Sequence, residues 1–309
     1  MGSTHYLIRD DTRSSSPLED VQPEVQVPVA SSAPLHPAPE SPAEMVSDSE
    51  PRISDSGIAE FTALRKKCGR FRVLVLGRAN AGKTTLLKAV CGADGDPKIL
   101  KEGDNSTSQS LLSPTAERGE HNINTPLVFP SNPGFIFHDS RGFEAGSDEE
   151  LKTVKKFIRR KGGMRDMERQ LHAIWYCIPT DNEARLLSGP EQELLRECST
   201  GPVPLVVIFT KFDSLEAKAF HELKGTGLTR QQAQQRAPQH AMTEFQCHYL
   251  PHLFGETRCP KHMFLRKIQG KMAELIQLTV DAVDVDALKL LLVSVQKNNL
   301  ELLIEYAVK

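Results

Sequence analysis

One short segment restricts the folds open to this chain more than any other feature. Residues 77–84, Gly-Arg-Ala-Asn-Ala-Gly-Lys-Thr, match the pattern GxxxxGK followed by Ser or Thr, between a predicted strand at 71–77 and a predicted helix at 84–90. Glycines let successive backbone N–H groups turn inward around phosphate oxygens, and the start of the helix adds a partial positive charge. The segment therefore predicts a strand–loop–helix unit that binds phosphate groups.

Particular side chains of this segment carry the predicted chemistry. Lys83 is expected to neutralise β- and γ-phosphate oxygens, and the Thr84 hydroxyl is expected to ligate Mg²⁺. The alternative is a glycine-rich turn with a solvated lysine, which does not explain the strand and helix on either side. The predicted nucleotide-contacting positions are Gly77, Asn80, Ala81, Gly82, Lys83, Thr84 and Thr85.

A second motif, Asp139-Ser140-Arg141-Gly142, closes the predicted strand 135–139. That strand follows a predicted strand at 123–129 and an Asn-Pro-Gly turn, so the two strands predict a hairpin. Taken alone the motif is a common turn. After a hairpin strand it places Asp139 beside Mg²⁺ and the Gly142 N–H beside the γ-phosphate, a contact that hydrolysis would release.

A third motif, Thr210-Lys211-Phe212-Asp213, follows the apolar run 203–209. The Asp213 carboxylate can accept the N1–H and 2-amino donors of guanine, whereas adenine offers no such pair. Lys211 should lay its stem along the base. A weaker fourth candidate is Ser294-Val295-Gln296, after a predicted last strand at 289–295, where backbone N–H groups of Ser294 and Val295 could meet the guanine 6-oxo oxygen.

The order of the predicted elements favours an α/β fold. Strands alternate with helices, which predicts a mostly parallel central sheet with one antiparallel hairpin strand and helices on both faces. Residues 1–66 are rich in Ser and Pro and predict a disordered arm, followed by an ordered domain at 67–309. Within that domain, about 214–265 predicts a polar helical insertion, and helices are predicted at 272–283 and 300–308.

Composition and charge exclude several classes of function. The formal net charge is −2, which gives no indication of a nucleic-acid partner. No apolar run approaches the roughly 20 residues of a membrane span. The six cysteines form no CxxC pair, which is typical of reduced thiols, and the first residues do not resemble a signal peptide. These features together predict a cytoplasmic protein without a membrane span.

In their order along the chain, these four motifs resemble the nucleotide-binding boxes of the Ras-like P-loop GTPase superfamily, over about residues 70–309. The segments 77–85 and 138–146 resemble Era/TrmE-type G domains, and those at 171–179 and 298–308 are similar to segments of fungal G-domain proteins. The resemblance implies a P-loop NTPase fold, a G domain at 67–309, GTP or GDP as ligand, and Mg²⁺ as cofactor.

The resemblance also implies a switch threonine that closes over Mg²⁺ and the γ-phosphate. Two residues are candidates, and we favour Thr115, which lies 24 residues before Asp139 and just ahead of the hairpin. Thr125 is expected inside the first hairpin strand, with its hydroxyl committed elsewhere. The implied catalytic residues are then Lys83, Thr115 and Gly142, and the implied metal ligands are Thr84, Thr115 and Asp139.

Two departures from the family pattern, and one residue shared with some similar GTPases, bear on mechanism. Phe143 replaces the water-orienting Gln, so we expect slow intrinsic hydrolysis unless a partner supplies the missing group. Thr210 stands where many members have Asn. In those members this residue links the loop that binds the guanine base to the phosphate-binding loop. Asn80 is the residue that, in some similar GTPases, helps to coordinate K⁺ in place of an arginine finger.

Two functions of different classes remain open at this point. The first is a Mg²⁺-dependent GTPase switch with a protein effector or activator, or with activation by a nucleotide-dependent homodimer. The second is a GTP-binding interaction module with little or no hydrolysis, in which Phe143 marks the lost activity. A P-loop ATPase or kinase is disfavoured by Asp213, because a buried carboxylate left unpaired by adenine is costly.

Overall fold

Eight strands form one sheet in the part of the chain that the computed structural model describes. That part comprises residues 68–100, 111–112, 122–140, 148–182, 186–199, 201–255, 259–266 and 271–295. All of these residues belong to one compact unit, residues 49–309. The predicted arm at 1–66 and the predicted helix at 300–308 lie outside the described residues.

The sheet has five parallel strands, β5, β1, β6, β7 and β8, and an antiparallel portion at the other edge, in the order β3-β2-β4-β5-β1-β6-β7-β8. Strands β4 and β5 pair antiparallel, as do β2 with β4 and β2 with β3. The strands are β1 (Phe71–Leu76), β2 (Lys98–Leu100), β3 (Leu111–Leu112), β4 (Leu127–Phe129), β5 (Asn132–Asp139), β6 (Ala173–Pro179), β7 (Leu205–Thr210) and β8 (Lys261–Phe264). Every residue of β1 and β7 is buried, as expected for parallel strands covered on both faces.

Helices cover both faces of the sheet, as the sequence predicted. The described helices are α1 (Lys83–Cys91), α2 (Asp148–Gly162), α3 (Gly189–Ser199), α4 (Asp213–Gly225), α5 (Arg230–Glu244), α6 (Leu250–Phe254), α7 (Met272–Ala282) and α8 (Asp286–Ser294). A π-helical turn, Phe245–Tyr249, joins α5 to α6. One apolar core contains side chains of α1, α7 and α8, and the other contains side chains of α2 to α6. Alternate residues of β1 enter opposite cores, which is the period-2 pattern of a strand.

The prediction of a last strand at 289–295 is wrong. Residues 289–294 lie in α8 and Val295 is its C-cap, and Leu288, Leu291 and Leu292 are buried at helical spacing. A short apolar run does not by its composition distinguish a buried strand from a buried helix turn. The last strand of the sheet is instead β8, four residues that the sequence analysis had included in the helical insertion.

The insertion and the hairpin also differ in detail from the prediction. The segment assigned to 214–265 contains α4, α5, the π-helical turn and α6, but its end belongs to the sheet through β8. Strands β2 and β3, which the sequence analysis did not predict, precede the hairpin in the chain and extend the antiparallel edge. Within the described residues, no helix combines the length and apolar character needed to traverse a lipid bilayer.

Candidate functional site

The loops that follow the parallel strands meet at one edge of the sheet. Because β1, β5, β6 and β7 all run in the same direction, their carboxyl ends lie together, and ligands of open α/β sheets bind at this edge. The phosphate-binding loop follows β1, Asp139 ends β5, and the Thr210–Asp213 segment begins at the end of β7. The fold thus brings three of the four predicted motifs to the same edge.

The phosphate-binding loop has the backbone that its glycines allow. Asn80 and Gly82 have left-handed φ angles of 60° and 82°, and Gly77 has a φ of 138°. A Cβ atom at Gly77 would lie 2.3 Å from the Cys177 carbonyl oxygen on β6, so no side chain fits there. Left-handed positions of this kind occur in loops whose N–H groups bind anions, and here the Ala81 N–H donates to the Arg78 carbonyl oxygen at 3.2 Å.

Lys83 is held across the loop before any ligand arrives. Its Nζ donates to the carbonyl oxygens of Gly77 and Arg78, at 2.9 and 3.0 Å, and the residue is 8% exposed. Burial lowers the pKa of this ammonium, and the nearby Asp139 carboxylate opposes that shift. Thr84 and Thr85 follow in the first turn of α1, where both are exposed. The arrangement places a cation and two hydroxyl-bearing residues at the loop.

Asp139 lies at the end of β5, next to the end of β1. The register pairs it with Val75, and both the N–H and the hydroxyl of Ser140 donate to the Val75 carbonyl oxygen, each at 3.2 Å. These bonds keep the chain beside β1 as it leaves the strand. The other residues of this motif, including Gly142, lie outside the described residues, as does Phe143.

Thr125 is not inside the first hairpin strand, contrary to the prediction. It closes a turn ahead of β4, with its N–H donating to the Asn122 carbonyl oxygen at 2.8 Å. The Ile123 carbonyl oxygen in that turn accepts from Nδ1 of His138, the residue before Asp139, at 2.8 Å. The argument against Thr125 therefore does not hold, and the favoured Thr115 lies outside the described residues.

The loop after β7 is tied to three neighbours. The Thr210 hydroxyl donates to the Ala81 carbonyl oxygen in the phosphate-binding loop at 2.9 Å, a buried bond at the predicted linking position. The Thr210 carbonyl oxygen accepts from the N–H and the hydroxyl of Thr180 at 2.9 and 3.0 Å. The Phe212 N–H donates to the Leu265 carbonyl oxygen after β8 at 2.9 Å. Neighbouring strands on both sides and the phosphate-binding loop therefore fix this segment.

Lys211 and Asp213 lie in the loop after β7, and their side chains are accessible to solvent at the sheet edge. Lys211 has a left-handed φ of 57°, and its Nζ donates to a carboxylate oxygen of Asp181 at 2.6 Å. Asp213 is the first residue of α4 and is exposed. A carboxylate there is stabilised by the positive end of the helix and stays available to an outside donor.

Ser294 and Val295 do not join the other motifs. A Cβ atom at Gly134 would lie 2.6 Å from the Val295 Cβ, so Val295 packs near the amino end of β5. Asp139 ends the same strand five residues later, and at about 3.3 Å per residue the two positions are about 17 Å apart. The assignment of Ser294 and Val295 to the base-binding loop is wrong, because it depended on a strand that is a helix.

The loop after β8, unlike Ser294 and Val295, lies beside the end of β7. The Leu265 N–H donates to the Phe209 carbonyl oxygen at 2.8 Å, which fixes the beginning of this loop beside the end of β7. Arg266 pairs with Glu216 on α4, one turn from Asp213. The sequence reasoning missed this loop because Lys261 and His262 make β8 look polar.

The sequence analysis also missed a contact between the phosphate-binding loop and α3. Arg78 forms an ion pair with Glu191, which is 2% exposed in the first turn of that helix. Ser188 and Glu191 have the spacing of a capping box, so the sequence did contain a signal for the helix start. It contained none for the partnership with Arg78.

One curated protein shows a clear relationship in sequence. The chain is 30% identical over 165 residues to ADP-ribosylation factor-like protein 3 from Chlamydomonas reinhardtii, over 53% of this chain and 75% of that protein. No family model matches the chain.

Solved structures with the same class of fold align less closely. The G domain of the T. maritima FeoB iron transporter aligns with a TM-score of 0.34 and 14% identity, over 69% of this chain and 98% of that one. A septin GTPase domain from Chlamydomonas reinhardtii aligns with a TM-score of 0.30 and 19% identity, over 50% of this chain and 59% of that one. Scores this low support no functional argument.

Proposed function

This chain belongs to the Ras-like family of small GTPases that includes the ADP-ribosylation factor-like proteins, and we propose that it binds GTP and GDP and acts as a molecular switch. The observation that carries the proposal is the buried hydrogen bond from Thr210 to Ala81. It joins a loop suited to phosphates to a loop suited to guanine, so that one ligand can contact both.

Phosphate binding follows from the prepared backbone and from Lys83. The left-handed Asn80 and Gly82 give the loop a backbone of the kind that binds anions, and Lys83 spans the loop through two carbonyl contacts. Phosphate oxygens would exchange these contacts for stronger, charge-assisted ones. Since Lys83 is mostly buried, its charge is poorly screened and favours an anionic ligand.

Guanine selectivity is assigned to Asp213 and to the loop after β8. Asp213 would accept from N1–H and the 2-amino group, with Lys211 alongside the base. Backbone N–H groups of the loop that begins at Leu265 and Arg266 would face the 6-oxo oxygen, in place of those of Ser294 and Val295. The support for this substitution is the bond between Leu265 and Phe212, which holds the two loops side by side.

The described residues fit a Mg²⁺ ion at the phosphate edge. Thr84 supplies an exposed hydroxyl and Asp139 a carboxylate close enough to Lys83 to influence its pKa. Oxygen ligands of this kind are what Mg²⁺ prefers. These two residues, with Thr125 or Thr115 in the triphosphate state, would hold the ion, which supplies positive charge to the β- and γ-phosphates when bound.

We expect hydrolysis to be slow in the isolated protein. Phe143 has no group that can orient an attacking water, so Lys83 and the Gly142 N–H would stabilise charge without preparing the nucleophile. An activating protein, a nucleotide-dependent homodimer, or K⁺ held with the help of Asn80 would supply the missing function. We also propose that the G domain is of the Era/TrmE type and that the protein is cytoplasmic.

A GTP-binding interaction module is the second candidate, and Phe143 is the feature that favours it. In that case the nucleotide stabilises the fold, and the biology lies in protein contacts. Both candidate functions require GTP binding. Only the switch should hydrolyse bound GTP in a single-turnover measurement.

The test is nucleotide binding by calorimetry on the full chain with Mg²⁺, comparing GTP, GDP, ATP and xanthine nucleotides. We expect guanine selectivity, loss of triphosphate binding in Lys83→Ala, and a shift toward xanthine in Asp213→Asn. Equal affinity of the wild type for GTP and ATP, or unchanged selectivity in Asp213→Asn, would contradict the assignment. Single-turnover hydrolysis in K⁺ and in Na⁺, over a range of protein concentrations, then distinguishes a switch from a binding module.

A further inference from the structure

Helices α4 and α5 pack against each other and bring three metal-ligating side chains together, away from the nucleotide edge. Glu222 lies near the end of α4, and His240 and Glu244 lie on α5. One ligand atom from each residue lies within 4.8 Å of the other two. The geometry points to a second metal site here, for a divalent first-row transition-metal ion such as Zn²⁺.

The helix geometry fixes the positions of the three residues. His240 and Glu244 are four residues apart, so they share one face of α5. Ala237 and Ala241 on the adjoining face are buried, and such small side chains allow α4 to approach closely. At the other end of α5, Thr229 and Gln232 form a capping box that fixes where the helix begins. The pairing of the two helices is therefore defined by contacts outside the cluster.

The distances suit a shared ion. His240 Nε2 lies 3.8 Å from Oε2 of Glu222 and 4.0 Å from Oε2 of Glu244. In a tetrahedral site with bonds of about 2.0–2.2 Å, ligand atoms lie roughly 3.5 Å apart. All three ligand atoms must therefore move somewhat closer together, and the side chains of Glu222, Glu244 and His240 are 42%, 38% and 44% exposed, so rotations about their side-chain bonds can bring them there. Water would complete the coordination.

The cluster offers a divalent ion two carboxylates and an imidazole, and Lys218 on α4 offsets part of the negative charge. Lys218 contacts Glu222 through Oε1 at 3.7 Å, which leaves Oε2 facing His240. An imidazole with carboxylates suits Zn²⁺, whereas Mg²⁺ prefers oxygen ligands alone. The site thus differs in chemistry from the one proposed at the phosphate edge.

Such an ion would connect the end of α4 to the end of α5. Asp213 begins α4, and the π-helical turn starts directly after Glu244. Binding to the folded chain alone would stabilise this helical pair.

The first experiment measures bound Zn²⁺ after equilibrium dialysis of the full chain in excess Mg²⁺. We expect His240→Gln to hold one equivalent less than the wild type. His221→Gln removes an exposed histidine of α4 outside the cluster, and it should retain the full amount. Zinc bound elsewhere, for example by the exposed Cys247 or Cys259, is common to all variants and cancels. Equal zinc in His240→Gln and the wild type would overturn the proposal.

A second variant on the partner helix keeps the proposal testable if His240→Gln does not fold. Glu222→Gln should lose the same equivalent, and Zn²⁺ should raise the unfolding midpoint of the wild type but not of this variant. If both proteins respond equally to Zn²⁺, the cluster holds only ion pairs. Neither measurement depends on nucleotide binding, so the result is independent of the proposed function.

Discussion

Arg78 in the phosphate-binding loop and Glu191 at the start of α3 form a bidentate ion pair. The Arg78 Nε donates to the two carboxylate oxygens at 2.8 and 3.1 Å, and Nη2 also contacts Oε2. Glu191 accepts from the N–H and the hydroxyl of Ser188, each at 2.7 Å. Burial alone would raise the pKa of Glu191, but these hydrogen bonds lower it below its ordinary value. The loop is thus attached to α3 through a charged, mostly buried pair.

Removing only the arginine should be costly. In Arg78→Met the Glu191 carboxylate stays buried without its cation, and we expect a loss of about 3 kcal/mol in the free energy of unfolding. Nucleotide should also dissociate faster, because the loop loses its support. Urea unfolding and the release rate of a fluorescent guanine nucleotide measure the two effects.

The double variant Arg78→Met with Glu191→Gln is the matched control, because the glutamine oxygen can still accept from Ser188. Both charges are removed together, so most of the lost stability should return while nucleotide release stays fast. If the double variant is less stable than Arg78→Met, the pair is not the source of the loss.

Thr210 should affect nucleotide affinity through Ala81. Thr210→Val keeps the shape of the side chain but removes the only hydroxyl that links the loop after β7 to the Ala81 carbonyl oxygen among the described residues. An unsatisfied buried carbonyl costs about 1–3 kcal/mol, so we expect roughly tenfold weaker GDP binding by calorimetry.

Thr180→Val is the comparison for this effect. Its hydroxyl also donates to the loop, but the Thr180 N–H donates to the same carbonyl oxygen and would remain. Its effect on affinity should therefore be the smaller of the two. Equal losses in both variants would mean that general stability of the edge, and not the link to Ala81, sets affinity.

The Gly77 position should accept no side chain. In Gly77→Ala the new Cβ would meet the Cys177 carbonyl oxygen at 2.3 Å, in a left-handed backbone as well. We expect loss of nucleotide binding and a large drop in the thermal unfolding midpoint. Gly225→Ala, where a Cβ meets nothing within 4 Å, should leave both unchanged. A Gly77→Ala protein with normal binding would contradict the described loop backbone.

Much of the fold was predictable because local signals agreed with one another. The runs that became β1, β6 and β7 are mostly apolar, with Arg72 as the charged residue of β1, and turn or helix signals follow them. Gly77 and Gly82 are required where the backbone takes conformations that other residues resist. In these places a short stretch of sequence determines the structure almost alone.

The errors occurred where the outcome depends on distant residues. The run that became α8 is a helix because its leucines pack under the sheet at helical spacing, while β8 is a strand because β7 offers it an open edge. Thr125 lies in a turn because His138, on β5, donates a hydrogen bond to the Ile123 carbonyl oxygen of that turn. Arg78 and Glu191 have no relation in sequence that would predict their contact. Such preferences are set by tertiary packing.

Ser294 should have no role in nucleotide binding. Its hydroxyl donates to the Leu291 carbonyl oxygen within α8. The next residue, Val295, packs against Gly134 near the amino end of β5, whereas Asp139 lies at the carboxyl end of that strand. We expect Ser294→Ala to bind GTP and GDP as the wild type does, measured by calorimetry. An affinity loss comparable to that of Asp213→Asn would restore the original base-loop assignment.

Two buried histidines should make the protein sensitive to mild acid. Burial, with nearby Arg72 acting in the same direction, lowers the pKa of His138 to about 3 and that of His172 to about 4. Their hydrogen bonds also require neutral rings. Arg72 donates its Nη1 to His138 Nε2 and its backbone N–H to His172 Nδ1, at 2.8 and 2.9 Å. The unfolded chain protonates both histidines near pH 6.5, whereas the folded chain does not.

The free energy of unfolding should therefore have its full value above about pH 6.5. It should fall as the pH drops toward the pKa values of the two histidines in the folded chain, because the unfolded state then binds more protons. Between pH 7 and 5 each histidine should account for a loss of about 2 kcal/mol in the free energy of unfolding. His138→Gln keeps an acceptor for Arg72 but does not titrate, so its urea midpoint should change less over this range. The exposed His221→Gln should follow the wild type, and identical pH profiles for all three proteins would exclude His138 as a source of acid sensitivity.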